Sequence, residues 1–179
     1  MSQAFVKNDA DIPEEPVERQ PSGRPNYVTP AGLALLETRI KELAELRAGL
    51  LAAKKPGEQG SLPLRQAEID LRYYETQFKR AILVDHRGLE AADVRFGAAV
   101  RVRESDGAER EFFIVGEDEA DPAANRINWA SPLASALLGA KTGAAVTFSR
   151  KNEEVKLEIL SVAYPERPQA TPSAKTVQE

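Results

Sequence analysis

The sequence predicts an α+β protein in two parts: an N-terminal antiparallel helical hairpin, then a C-terminal mostly antiparallel sheet with one short helix. Three observations carry this expectation. Apolar residues recur on 3,4 spacing from Leu33 to Leu50 and again from Leu64 to Ile82. The turn-rich run KKPGEQGSLP separates those two stretches. From Val94 onward the texture changes to short alternating runs punctuated by glycine and charged turns.

Residues 1–27 hold five acids, three bases and four prolines with few large apolar side chains. Such a segment buries too little surface to offset its ordering entropy, so a disordered acidic, Pro-rich tail is expected. Residues 165–179 read as a second disordered tail. The hairpin (coiled coil) occupies 28–85. Thr29-Pro30 opens its first helix, Thr as N-cap and Pro at the first helical position. Leu33, Leu36, Ile40, Leu43 and Leu50 form the first seam, with Arg47 interrupting it. The second helix begins near Pro63 and carries Leu64, Ala67, Leu71, Tyr74, Phe78 and Ala81 or Ile82. Arms of about 22 to 25 residues predict a rod roughly 33 to 37 Å long.

Residues 86–93 form a linker that starts at His86, the only histidine. In the C-terminal domain, 94–164, strands are expected around Ala98–Val102, Phe112–Val115, Arg126–Ala130, Val146–Phe148 and Val155–Ile159. Ser131-Pro132 starts a short helix whose apolar face is Leu133, Ala136, Leu137 and Leu138, and Gly139 stops it. Glu117, Asp118, Glu119 and Asp121 make a dense acidic loop, read as a solvated turn because nothing in the sequence makes their oxygens converge on a metal.

Composition excludes several functions. A net charge of −4 and a pI near 5.3 argue against tight nonspecific binding to naked nucleic acid. The absence of cysteine removes disulfides, thiol nucleophiles and Cys-ligated zinc. No serine lies in a nucleophile-elbow context, and the DEAD run lacks the phosphate-binding loop of a helicase. No apolar run approaches membrane-spanning length, so a cytoplasmic protein without membrane contact is expected.

The run IVGEDEAD, the helix SPLASALLG, the opening Phe96-Gly97-Ala98 and the hairpin start YVTPAG together resemble the GreA/GreB transcript-cleavage factors of bacteria. The resemblance spans about residues 26–163. It implies an FKBP-like C-terminal domain without isomerase activity, docked on the rim of the RNA polymerase secondary channel, and a coiled coil that reaches down the channel. It implies docking through the loop at Trp129, Ser131 and Pro132. Nucleic acid would be met only through the elongation complex, although DNA binding is a family-level expectation.

The channel tip departs from the family pattern. The family's G-D-x-x-E-N-A-[ED]-Y turn supplies two carboxylates for a Mg²⁺ at the polymerase active centre. Placed on that pattern from Gly60, this sequence has Ser61 at the Asp position and Leu64 at the Glu position. Lys54, Lys55 and Arg65 against Glu58 leave the tip net positive. The expectation is a polymerase-binding regulator of elongation that acts by occupancy, is not itself an enzyme and carries no cofactor, catalytic residue or metal. Two alternatives stand beside it. One is an active cleavage-stimulating factor with acids re-sourced from Glu58, Glu68 or Asp70. The other is a stand-alone prolyl isomerase or chaperone.

Overall fold

The computed structural model describes residues 15–57, 60–150 and 153–165. Helix α1 (Pro30–Ala53) and helix α2 (Leu62–Lys79) form the hairpin. Their lengths, 24 and 18 residues, correspond to about 36 and about 27 Å. Each start is capped as the sequence dictates. Thr29 accepts from the Gly32 N–H and Ser61 from the Leu64 N–H, with proline early in each first turn.

The second arm is shorter than expected because the chain leaves the helix at Arg80. Ala81–Leu83 is strand β2, paired in parallel with Asn26–Val28, strand β1. Ala81 and Ile82 are therefore not the last turn of the seam. β-branched and large apolar residues flank the helix end here, and ladder partners are available from β1. Residues 15–27 likewise depart from the expected tail: Asn26 is buried, and Val17 and Arg19 bond to α2.

The C-terminal part is a five-stranded sheet in the order β5-β4-β3-β7-β6. Its strands are β3 (Ala99–Glu104), β4 (Glu109–Val115), β5 (Arg126–Asn128), β6 (Ala145–Arg150) and β7 (Glu153–Ala163). All neighbours are antiparallel except β4 and β5. Alternation decides the faces. Val100 and Val102 are fully buried, whereas Arg101 and Arg103 point outward to Glu109. Helix α3 (Pro132–Leu137) lays Ala134 and Leu137 on Val100, Ile114, Leu157 and Ile159 to complete the core. Gly139 takes the left-handed conformation (φ 80°) just after the helix, where a side chain would be strained.

The 86–93 stretch is laid against this domain. The Gly88 N–H donates to the Tyr164 carbonyl, and Leu89 packs on the core. His86 is half-buried, with Nδ1 3.0 Å from the Phe96 carbonyl oxygen, rather than free in solvent. Among the described residues no helix is long and apolar enough to cross a membrane.

Candidate functional site

The acidic loop is where the structure departs most from the solvated turn read from sequence. Three successive carboxylates each take a different hairpin-side partner. Glu117 accepts from the Ser22 hydroxyl at 2.6 Å. Asp118 accepts from the Tyr73 hydroxyl and the Gln77 amide, both at 2.8 Å. Glu119, only 6% exposed, accepts from the Thr29 N–H at 2.9 Å, the Thr29 hydroxyl and the Gly116 N–H. Thr29 in turn caps Gly32, so the Glu119 carboxylate stands behind the N-terminus of α1, where negative charge is favourable.

The loop therefore fixes the angle between hairpin and sheet domain. Two glycines make room for it. A Cβ on Gly32 would lie 2.1 Å from the Glu119 carboxyl carbon, and one on Gly116 would lie 2.5 Å from the Tyr27 carbonyl oxygen. Burial, reinforced by the bond to Asp118, pushes the Tyr73 hydroxyl far above its usual range. Asp121 stands apart, capping the single turn Pro122–Ala124 and pairing with Arg126 at 3.3 Å. The four carboxylates thus diverge, and among the described residues no group of three or more acids or histidines is placed to hold a metal.

Aromatic packing closes the same joint. The Tyr27 ring sits edge-on to Trp129 at 5.0 Å and tilted against Phe96 at 6.0 Å. This separates Trp129 from the two residues grouped with it on sequence grounds. Ser131 and Pro132 instead border a groove of about 520 Å³ between α3 and the sheet. Its apolar floor is Phe112, Ile127, Leu133, Phe148 and Val155. The Ser131 hydroxyl is turned inward, accepting from the Ala134 N–H at 3.2 Å, while Pro132 is exposed. Asn128 shapes the approach: its side chain accepts from the Ala130 N–H and its carbonyl from the Ser131 N–H, both at 2.9 Å.

At the hairpin tip, Lys54 ends α1, and Lys54, Lys55 and Arg65 are exposed. Ser61 spends its hydroxyl on the helix cap, and Leu64 is 4% exposed. Glu58 lies outside the described residues. Glu68 pairs with Arg47 at 3.3 Å, and Asp70 accepts from Gln66 at 3.2 Å. Both sit on the hairpin flank, about 10 Å or more beyond Ser61 along the helix.

Sequence periodicity missed Tyr73, Gln77, Tyr27 and Arg19. The buried residues in the second half of α2 are Tyr73 and Gln77, whereas Phe78 is exposed. The seam assigned through Leu71, Tyr74 and Phe78 is therefore displaced: Tyr73 and Gln77 meet Asp118 of the acidic loop, and the Tyr74 hydroxyl accepts from Arg19. A Gln on a helical apolar stripe three to four residues after a Tyr was the available signal for a polar contact there.

Comparison with known proteins bears on this arrangement. Residues 90–164 match the family model described as transcription elongation factor GreA/GreB, C-terminal domain. Over 153 residues the chain is 35% identical to the transcription elongation factor GreB of Neisseria meningitidis, covering 78% of this chain and 94% of that protein. The chain belongs to the GreA/GreB family. It is also 33% identical over 153 residues to the GreA of Chloroflexus aggregans, covering 98% of it. Among solved structures, the GreA factor homolog 1 (Gfh1) of Thermus thermophilus aligns with 78% of this chain and 99% of its own at 18% identity and a TM-score of 0.35. The GreA/GreB factor of Nitrosomonas europaea aligns at 20% identity and a TM-score of 0.39, covering 79% and 99%. These curated relatives are named transcription elongation factors.

Proposed function

We propose that this GreA/GreB-family chain binds RNA polymerase through its C-terminal domain, inserts the hairpin in the secondary channel, and regulates elongation by occupancy without stimulating transcript cleavage. The observation that carries the reading is the use made of Ser61 and Leu64. At the two tip positions where the family resemblance expects carboxylates, one side chain caps α2 and the other is a buried leucine. Neither supplies a hard oxygen ligand for a divalent cation. The nearest acids on α2, Glu68 and Asp70, already have partners.

Docking in this reading falls to the groove beside Ser131 and Pro132, which offers exposed apolar surface rimmed by polar residues. Trp129 contributes by holding Tyr27, and so the hairpin, in register with that groove. The rigid joint matters because a rod tied to a rim-docked domain reaches its target only if the angle between them is fixed. The chain performs no bond chemistry of its own.

A cysteine-free chain permits a direct test. A single Ser61→Cys carrying a short photo-crosslinker should label polymerase near its active centre, and Pro132→Asp should abolish the labelling. Labelling only on the polymerase exterior would contradict insertion.

A further inference from the structure

We propose that the flank of α2 formed by Gln66, Tyr73 and Tyr74 is a docking track for an extended peptide, occupied by residues 15–24 of the same chain, which a partner enclosing the hairpin must displace. The displacement clause rests on the insertion reading above. The track itself does not.

The contacts are those of peptide recognition. The Gln66 side-chain amide reads one residue's backbone twice: the Val17 N–H donates to Oε1 at 2.7 Å, and Nε2 donates to the Val17 carbonyl at 3.1 Å. Asp70 accepts from the same Nε2 at 3.2 Å, which fixes the orientation of the amide. Two residues on, the Arg19 guanidinium lies 4.6 Å from the Tyr73 ring centroid and 5.4 Å from that of Tyr74, and donates to the Tyr74 hydroxyl at 3.0 Å. The two rings stand edge to face, 5.3 Å apart, as walls of the slot. Arg80 ends the track by donating to the Ser22 and Arg24 carbonyls at 3.3 and 3.1 Å.

The register fits a chain lying along a helix. From Val17 to Arg24 an extended backbone at about 3.1 Å per residue covers about 22 Å. From Gln66 to Arg80 a helix at 1.5 Å per residue covers about 21 Å. Pro16, Pro21 and Pro25 favour the extended form and supply no N–H donors that would need partners.

The cover is built to come off. Val17 is 69% exposed, and Glu18, Arg19 and Gln20 are exposed. The segment is thus held by polar and cation–π contacts, and among its described residues only Pro16, Pro21 and Ser22 are half-buried. It runs to within about 8 Å of the start of α2, so a channel closing round the hairpin meets it along most of that arm.

The test compares the full chain, an Arg19→Ala variant and a chain lacking residues 1–20, which keeps Ser22 on Glu117, for affinity to core polymerase. Val17 amide exchange is measured in the first two. Removing an occluding segment returns the occluded fraction of molecules to the binding-competent state, so the truncated chain should bind about tenfold tighter, with Arg19→Ala in between. Val17 should exchange slowly in the full chain and freely in the variant. Equal or weaker binding by the truncated chain overturns displacement. A gain on truncation that Arg19→Ala does not share assigns the effect to residues other than the track, and also overturns it. If none of the three binds, the insertion reading fails and displacement with it. Val17 exchange then decides the track alone: slow exchange that Arg19→Ala releases supports it, and equal exchange in both overturns it.

Discussion

Thr29 and Glu119 are 90 residues apart and share two hydrogen bonds, one through the Thr29 backbone N–H and one through its hydroxyl. The residue that caps the first helix of the hairpin is thereby held by a residue of the sheet domain. Because Glu119 is buried, its bonds are not exchanged for water when they are lost. Replacing it with Ala leaves the Thr29 and Gly116 N–H groups without their acceptor. We expect a loss of about 2–4 kcal/mol in urea unfolding. The single tryptophan, Trp129, packs on Tyr27 beside this joint. Its emission should shift to the red in Glu119→Ala before the main unfolding transition, and an unchanged spectrum would mean the joint survives without the carboxylate.

Glycines in α1 separate close approach from simple helix propensity. Gly32→Ala must push aside the Glu119 carboxyl group, 2.1 Å from the new methyl, and should cost about 1–3 kcal/mol. Gly49 has nothing within 4 Å, so Gly49→Ala should gain up to about 1 kcal/mol from propensity alone. Thermal melts of the two variants should move in opposite directions.

Tyr73 sets an alkaline limit. Its hydroxyl is raised above the ordinary value near 10, first by burial and then by its bond to Asp118. The folded protein therefore keeps a proton that the unfolded chain releases above about pH 10, and stability falls as pH rises past that point. Below it both states are protonated and the group contributes no slope. Melting temperature measured from pH 8 to 11 should drop beyond pH 10 in the native chain. The drop should be smaller in Tyr73→Phe, which lacks the ionisable hydroxyl but also forfeits the Asp118 bond.

Restoring the family's tip carboxylates should be unequal in cost. Ser61→Asp keeps an N-cap acceptor and should change stability by less than about 0.5 kcal/mol. Leu64→Glu buries a charge at a position only 4% exposed and should cost about 2–4 kcal/mol. Denaturation of the two single variants checks this.

These contrasts also mark what the sequence reveals. Both hairpin helices, the caps at Thr29 and Ser131 and the five strands follow from local rules, because propensity, capping and alternation agree there. The joint does not. Glu117, Asp118 and Glu119 look like a solvated turn because their partners, Ser22, Tyr73, Gln77 and Thr29, lie 41 or more residues away. Ala81–Leu83 reads as helix because apolar spacing cannot register a ladder partner at Asn26–Val28. Trp129, beside Ser131-Pro132 in sequence, turns to Tyr27 because the Asn128 turn intervenes. The family resemblance pointed to the Ser131-Pro132 loop and the tip. What joins the hairpin to the sheet domain is contact between distant segments.

The most direct measurement is transcript cleavage on a backtracked elongation complex, run with a pull-down of the same polymerase. The occupancy account predicts that the chain is retained on polymerase, produces no cleavage above the intrinsic rate, and slows cleavage by an active Gre factor added to it. Retention together with stimulated cleavage would contradict the account and mean that acids away from Ser61 and Leu64 serve the metal.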